Sequence, residues 1–101
     1  MTEEKIVAKP WDAAAHLESD EDIVAYLDAA LEDGDPSVIV AALGDMARAQ
    51  GMTDIARLTG LGRESLYKAL SPSGNPEFAT VLKVLDALGL QLHVEPERIR
   101  A

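Results

Sequence analysis

The chain has 101 residues, no cysteine and a formal net charge of −9, from 18 acidic and 9 basic residues. This length fits one domain, and the lack of cysteine excludes disulfides, iron–sulfur clusters, thiol catalysis and cysteine-based zinc sites. No apolar run reaches the roughly 18 residues of a membrane span, and the N-terminus lacks the apolar core of a signal peptide. We therefore expect a cytoplasmic protein without a membrane partner.

The charge is unevenly distributed along the chain. Residues 1–46 hold 12 acidic and 2 basic residues, whereas residues 47–101 hold 6 acidic and 7 basic residues. The overall charge argues against nucleic acid as a partner, because nucleic-acid binders usually carry a basic face. The nearly neutral second part still leaves room for a local basic patch.

The N-terminal region begins with an arm, residues 1–10, that shows no clear period. Asp12 then predicts the start of a short helix, since aspartate is a favoured N-cap. Trp11, the single tryptophan, precedes it. Two interpretations stay open for Trp11: an anchor that holds the arm on the body, or a hot spot for a protein partner.

Two longer helices follow the arm. Ser19 or Asp20 is expected to cap the first, which ends at Gly34. Asp35 is expected to cap the second, with Pro36 at the first helical position and Gly51 at the end. The acidic run at the start of the first helix is interpreted as a solvated helix terminus, because its carboxylates cannot all converge on one metal ion.

Two short helices, DIARLT and RESLYKAL, come next and are joined by a glycine-containing turn. Thr53 is expected to cap the first, and Gly60 supplies the positive φ that the turn needs. This pattern is typical of a helix-turn-helix, whose second helix enters the major groove of DNA. The alternative is a two-helix corner with a solvated polar face. The expected DNA-binding residues are Thr53, Arg63, Glu64, Ser65, Tyr67 and Lys68.

The C-terminal part begins with the turn-rich loop SPSGNP. Asn75 is expected to cap a helix with Pro76 at its first position and an end at Gly89. The following LQLHV alternates apolar and polar residues, which predicts a strand. Such a strand must pair with a second chain, giving a homodimer, or lie on the body as an extended tail. Its apolar face would consist of the partner-binding residues Leu90, Leu92 and Val94.

Three motifs of the second half, GMTDIARLTGL, RESLYKAL and GNPEFATVLKVLDALGL, resemble the probable addiction-module antidote family. These small antitoxins have a phage-repressor-like helix-turn-helix and are related to HigA-type antitoxins. The resemblance covers about residues 11–92. It implies an antitoxin that neutralises a small basic RelE/ParE-like toxin and represses their shared operon by binding operator DNA. Gly62 departs from the pattern, because such motifs usually carry a capping side chain such as serine there.

The resulting prediction is an all-α bundle of about five helices with a λ-repressor-like helix-turn-helix and a short C-terminal strand. Residues 1–35 would form an acidic toxin-binding region, residues 36–95 the DNA-binding domain with the strand, and residues 96–101 a tail. The predicted core consists of Ile23, Leu27, Leu31, Ile39, Leu43, Met46, Ile55, Ala56, Leu61, Leu66, Leu70, Phe78, Val81, Leu82 and Leu85.

Two other functions compete with the antitoxin interpretation. An enzyme would need a catalytic constellation, but His16 and His93 have no obvious partner and no nucleophile motif or phosphate-binding glycine loop occurs. We therefore expect no catalysis, no cofactor, no metal and no small-molecule substrate. The second rival is a protein-interaction module whose helix-turn-helix does not bind DNA, and it stays open.

Overall fold

The computed structural model describes residues 17–97, which form five α-helices. The all-α class is thereby confirmed for these residues, and none of their helices is long and apolar enough to cross a membrane. The predicted helix after Asp12 and the side chain of Trp11 lie outside the described residues. The helices are α1 (Asp20–Asp33), α2 (Pro36–Gln50), α3 (Met52–Thr59), α4 (Arg63–Ala69) and α5 (Phe78–Ala87).

The starts of α1 and α2 confirm the predicted caps. The Ser19 hydroxyl accepts a hydrogen bond from the Asp22 backbone N–H at 3.1 Å. The Asp35 carboxylate accepts one from the Ser37 N–H at 2.9 Å, and Pro36 occupies the first turn. Each cap satisfies a backbone donor that the helix itself leaves unpaired.

The predicted starts of α3 and α5 are wrong. Helix α3 begins at Met52, whose buried side chain draws this residue into the helix, so Thr53 lies inside the first turn and does not cap it. Helix α5 begins at Phe78, with Glu77 in the N-cap position. The loop before it continues through Pro76, because it first packs over the end of α4.

The core is centred on α3, which packs against α2, α4 and α5, while α1 packs on α2. Each of these elements except α1 contributes a fully buried side chain. Burying one large aliphatic side chain stabilises the fold by roughly 1.5–3 kcal/mol. The fully buried side chains are Leu43, Met46, Ile55, Leu66 and Val84.

Most predicted core residues are buried or partly buried, but three are not. Leu31, Phe78 and Leu82 are 44%, 66% and 43% exposed. Helix α5 has a broad apolar arc opposite its polar stripe, so periodicity alone does not decide which part of that arc faces the core. The structure buries Val84 and Leu85 there, which turns the predicted stripe partly toward solvent. Leu31 lies in the last turn of α1, where it remains partly uncovered.

The predicted C-terminal strand is wrong: residues 90–97 form no strand. Leu90 packs partly on the core, and its backbone N–H donates to the Leu85 carbonyl at 2.8 Å. Leu92 and Val94 are exposed. The alternation reflects an extended segment that follows the body, because among residues 17–97 no neighbouring strand offers it a ladder of hydrogen bonds.

A polar contact joins α1 to α2. The Tyr26 hydroxyl donates to the Asp45 carboxylate at 2.6 Å, and Asp45 also forms an ion pair with Arg48. Partial burial, followed by the hydrogen bond and the negative charge of Asp45, raises the pKa of Tyr26 to about 12, while Arg48 acts in the opposite direction. The protonated phenol is therefore part of the α1–α2 interface.

Stability is expected to fall at high pH through Tyr26. Because its pKa in the folded protein, about 12, lies above the usual tyrosine value of about 10, its contribution is complete below pH 10 and is lost as pH rises through about 12. Unfolding in urea at several pH values measures this loss. The variant Tyr26→Phe should flatten the dependence over that range.

Helix α2 lies very close to the end of α4. A Cβ atom at Gly44 would lie 2.5 Å from the backbone carbonyl oxygen of Leu70, well inside van der Waals contact. Glycine in a helix interior normally costs about 1 kcal/mol relative to alanine. Here it permits the contact that places the end of α4 against α2.

Replacement of Gly44 by alanine should therefore destabilise the protein despite the better helix propensity. The clash involves backbone that packing holds in place, so we expect Gly44→Ala to lower the free energy of unfolding by about 1–2 kcal/mol. Val38→Ala, at an exposed position of the same helix, should change it by less than about 0.5 kcal/mol. Equal stability of Gly44→Ala and the wild type in urea unfolding would contradict the close packing.

Candidate nucleic-acid interface

The turn between α3 and α4 is fixed by its own hydrogen bonds. Gly60 has a φ of +76° and donates its N–H to the Ala56 carbonyl at 2.9 Å. The Thr59 hydroxyl donates to the Ile55 carbonyl at 2.7 Å and accepts from the Leu61 N–H at 3.3 Å. The positive φ expected at Gly60 is confirmed, and these bonds define the angle at which α4 leaves α3.

Helix α4 is attached to the body by one apolar side. Leu66 is fully buried, and Leu70 immediately after the helix is buried as well. The opposite side is polar and faces solvent. Its exposed residues are Arg63, Glu64, Ser65, Tyr67 and Lys68, all of them predicted DNA-binding residues.

Arg63 and Tyr67 contact each other along this exposed side. The Arg63 guanidinium donates to the Tyr67 hydroxyl at 3.4 Å, and its carbon lies 5.7 Å from the centre of the tyrosine ring. Residues four apart are neighbours on a helix surface, and a guanidinium over an aromatic face is attracted by the ring. The contact therefore orders Arg63 along the helix.

The rest of the exposed side forms a shallow depression lined by Glu64, Ser65, Tyr67 and Lys68. Lys68 has no carboxylate partner among the described residues. On the preceding helix α3, by contrast, Arg57 pairs with Asp54 at 3.4 Å. The two helices together carry three basic and two acidic residues, so the surface is slightly positive.

Thr53 and Ser65 are both exposed in the first turns of their helices. The N-cap of α4 is Gly62, and no side chain caps the helix start there. Backbone N–H groups at such a start lack an intrahelical partner and can bind an anion or water. The backbone N–H groups at the start of α4, next to the exposed Ser65, are therefore available to an anion or to water.

Sequence reasoning missed the role of Gly74. A Cβ atom there would clash with the backbone carbonyl oxygens of Lys68 and Ala69, so the loop after α4 packs directly on the end of the helix. The Ser71 hydroxyl also donates to the Lys68 carbonyl at 2.9 Å. In the sequence, this glycine is the first residue of the GNP motif. Because it lets the loop pack on the end of α4, it holds in place the part of the helix that carries Lys68.

The predicted partner-binding residues lie elsewhere. Leu92 and Val94 line depressions beside α1 and do not line the one at α4, and Leu90 is partly covered by the core. His93 lies beside the same stretch of α1, but within residues 17–97 no three histidine, cysteine or acidic side chains could hold a metal ion. Trp11 and His16 fall outside the described residues.

Comparison with known proteins gives a family and a relative. A family model described as "Probable addiction module antidote protein" matches residues 7–96. An uncharacterised protein of Haemophilus influenzae is 51% identical over 98 residues, which cover 97% of this chain and 98% of that protein. No solved structure matches the chain.

Proposed function

This chain belongs to the probable addiction module antidote protein family, which supports a general antitoxin role, and we propose that it both neutralises a toxin and represses its own operon. The toxin would be a small basic protein of the RelE/ParE kind. The operon would be recognised through α3 and α4, acting as a phage-repressor-like helix-turn-helix related to that of HigA-type antitoxins. An antidote role points to regulation rather than catalysis, and we place it in the cytoplasm.

The observation that carries the DNA-binding proposal is the two-sided character of α4. Leu66 fixes one side in the core, while the opposite side presents arginine, glutamate, serine, tyrosine and lysine to solvent. Arg63 sits at the first position of α4, and N-terminal residues of a recognition helix contact base edges. Arginine can bind guanine through two hydrogen bonds, and Lys68 has the reach and charge of a phosphate contact.

A homodimer completes the proposal. DNA-binding proteins of this kind usually read two half-sites with two recognition helices related by a two-fold axis. A single α4 of seven residues offers few base contacts, so two copies would raise both affinity and specificity.

The net charge of −9 favours a second candidate, an interaction module whose helix-turn-helix does not bind DNA. Such a charge repels phosphate at long range. We favour the repressor because the acidic residues concentrate in α1, whereas α3 and α4 are slightly basic.

A basic toxin bound to the acidic region would lower the repulsion between this chain and DNA, so the toxin would act as co-repressor. Unchanged operator affinity with toxin present, at fixed salt, would contradict co-repression.

Two substitutions separate base reading from backbone contact. Arg63→Ala should weaken operator binding by about 1–3 kcal/mol and relax sequence preference, because a bidentate base contact is lost. Lys68→Ala should weaken binding to all sequences alike and reduce the salt dependence by about one ion. Fluorescence anisotropy with operator and scrambled duplexes over a range of salt concentrations measures both effects.

Both side chains are exposed, so thermal unfolding should change little in either variant and serves as the control for folding. If Arg63→Ala kept full operator affinity and selectivity in a folded protein, α4 would not read bases, and the interaction module without DNA binding would become the favoured function.

The antitoxin role is tested by growth. Expression of the toxin gene from the same module should arrest a host, and co-expression of this chain should restore growth and yield a co-purified complex. Continued arrest at confirmed expression of both proteins would contradict the role.

A further inference from the structure

A groove runs between the second half of α1 and the C-terminal segment. Its apolar surface includes Leu31 and Val94, both exposed. Carboxylates surround these two side chains, and we call the whole surface the α1 groove. The carboxylates belong to Asp28, Glu32, Glu95 and Glu97.

Among residues 17–97, the α1 groove is lined by these four carboxylates and the single histidine His93, with no lysine or arginine. Helix α1 carries six acidic and no basic residues, and within residues 17–97 none of the four carboxylates forms an ion pair. Glu32 also lies in the last turn of α1, where the helix dipole is negative and a carboxylate is disfavoured. A cation bound in the α1 groove would reduce the repulsion among the carboxylates and the repulsion between Glu32 and the negative end of the helix dipole.

Leu31 connects the α1 groove with a second, apolar depression. It lines that depression together with side chains of α2 and α5, among them Ile39 and Phe78. Leu92 also lines it, from the C-terminal segment. An occupant must therefore bring apolar side chains as well as positive charge, which a metal ion does not do.

We propose that the α1 groove is the surface on which the toxin docks, through a segment that places lysine or arginine side chains around an apolar one. Leu31 would be the buried anchor, and the carboxylates would attract and orient the segment. This inference rests on the proposed antitoxin function and adds to it the surface and the chemistry of the partner.

A second copy of this chain fits the α1 groove less well. A two-fold interface places the same patch on both subunits, so the four carboxylates would face their own copies across it. DNA is excluded by the same charge. A basic, partly apolar segment is the occupant that satisfies both the carboxylates and Leu31.

The α1 groove and the depression at α4 share no lining residue. Toxin on one and DNA on the other would therefore not compete for side chains. Two separate surfaces are what co-repression requires.

The apolar anchor is tested with Leu31→Ser in the full chain. Leu31 is 44% exposed, and Leu58 on α3 is 55% exposed and lines neither surface, so Leu58→Ser is the matched control. Titration calorimetry with the purified toxin of the module should give a Kd at least about tenfold weaker for Leu31→Ser, since truncation of a central anchor is costly. The control should stay within about twofold of the wild type.

The charge is tested with Glu32→Lys against Asp86→Lys. Both are exposed carboxylates in the last turn of a helix, so the charge change and the helix-dipole effect are the same. Stopped-flow association at low salt should slow several-fold more for Glu32→Lys than for Asp86→Lys. The difference should shrink as salt is added, because screening weakens exposed charges.

Wild-type-like toxin binding by Leu31→Ser, or equal effects of Glu32→Lys and Asp86→Lys, would overturn the α1 groove as docking surface while the antitoxin function stands. If Leu31→Ser lost the homodimer but still bound toxin, the α1 groove would be the dimer interface and not the toxin-docking surface. If the wild-type chain itself bound no toxin, the proposed function and this inference would fall together.

Discussion

The burial of Leu66 is the contact that gives α4 its orientation. This side chain is fully buried in the same cluster as Ile55 of α3 and Val84 of α5, so one side of a seven-residue helix is fixed. A helix this short is not stable alone in water, and its conformation depends on this tertiary contact. The turn at Gly60 and the close approach at Gly44 then limit how α4 can rotate. The polar side is presented to solvent as a consequence.

The distribution of charge divides the described residues into two surfaces of different charge. Helix α1 carries six acidic and no basic residues, while α3 and α4 combined carry a small positive excess. A single domain can then attract a basic protein at one surface and DNA at another, although its net charge of −9 disfavours DNA at long range. The proposed link between the two is electrostatic: a bound basic toxin would lower the charge that opposes DNA binding.

The sequence was sufficient where a local rule decides the structure. Ser19 and Asp35 cap their helices as expected, and Gly60 turns the chain, because these effects involve neighbouring residues only. It was insufficient where tertiary packing decides. The apolar arc of α5 is wider than the face that packs on the core, so periodicity placed Phe78 inside and missed Val84. The alternation in residues 90–94 suited a strand, but the described residues provide no partner for one.

The sequence also predicts only part of the candidate site. The exposed side of α4 follows from helical spacing around Leu66, and its exposure agrees with the sequence. The role of Gly74 depends on how closely a loop approaches the end of α4, and the α1 groove depends on where the C-terminal segment lies. Neither is a property of a local pattern, so both needed the folded chain.

The claim that α4 is the DNA-reading element is tested most directly by nuclear magnetic resonance. Backbone amide shifts of the isotope-labelled full chain would be followed during titration with a duplex from upstream of its own gene. The account predicts that the largest changes fall on residues 63–68 and the start of α3, while residues 28–32 of α1 change little. Changes confined to α1 and the C-terminal segment, or no changes at saturating duplex, would contradict it.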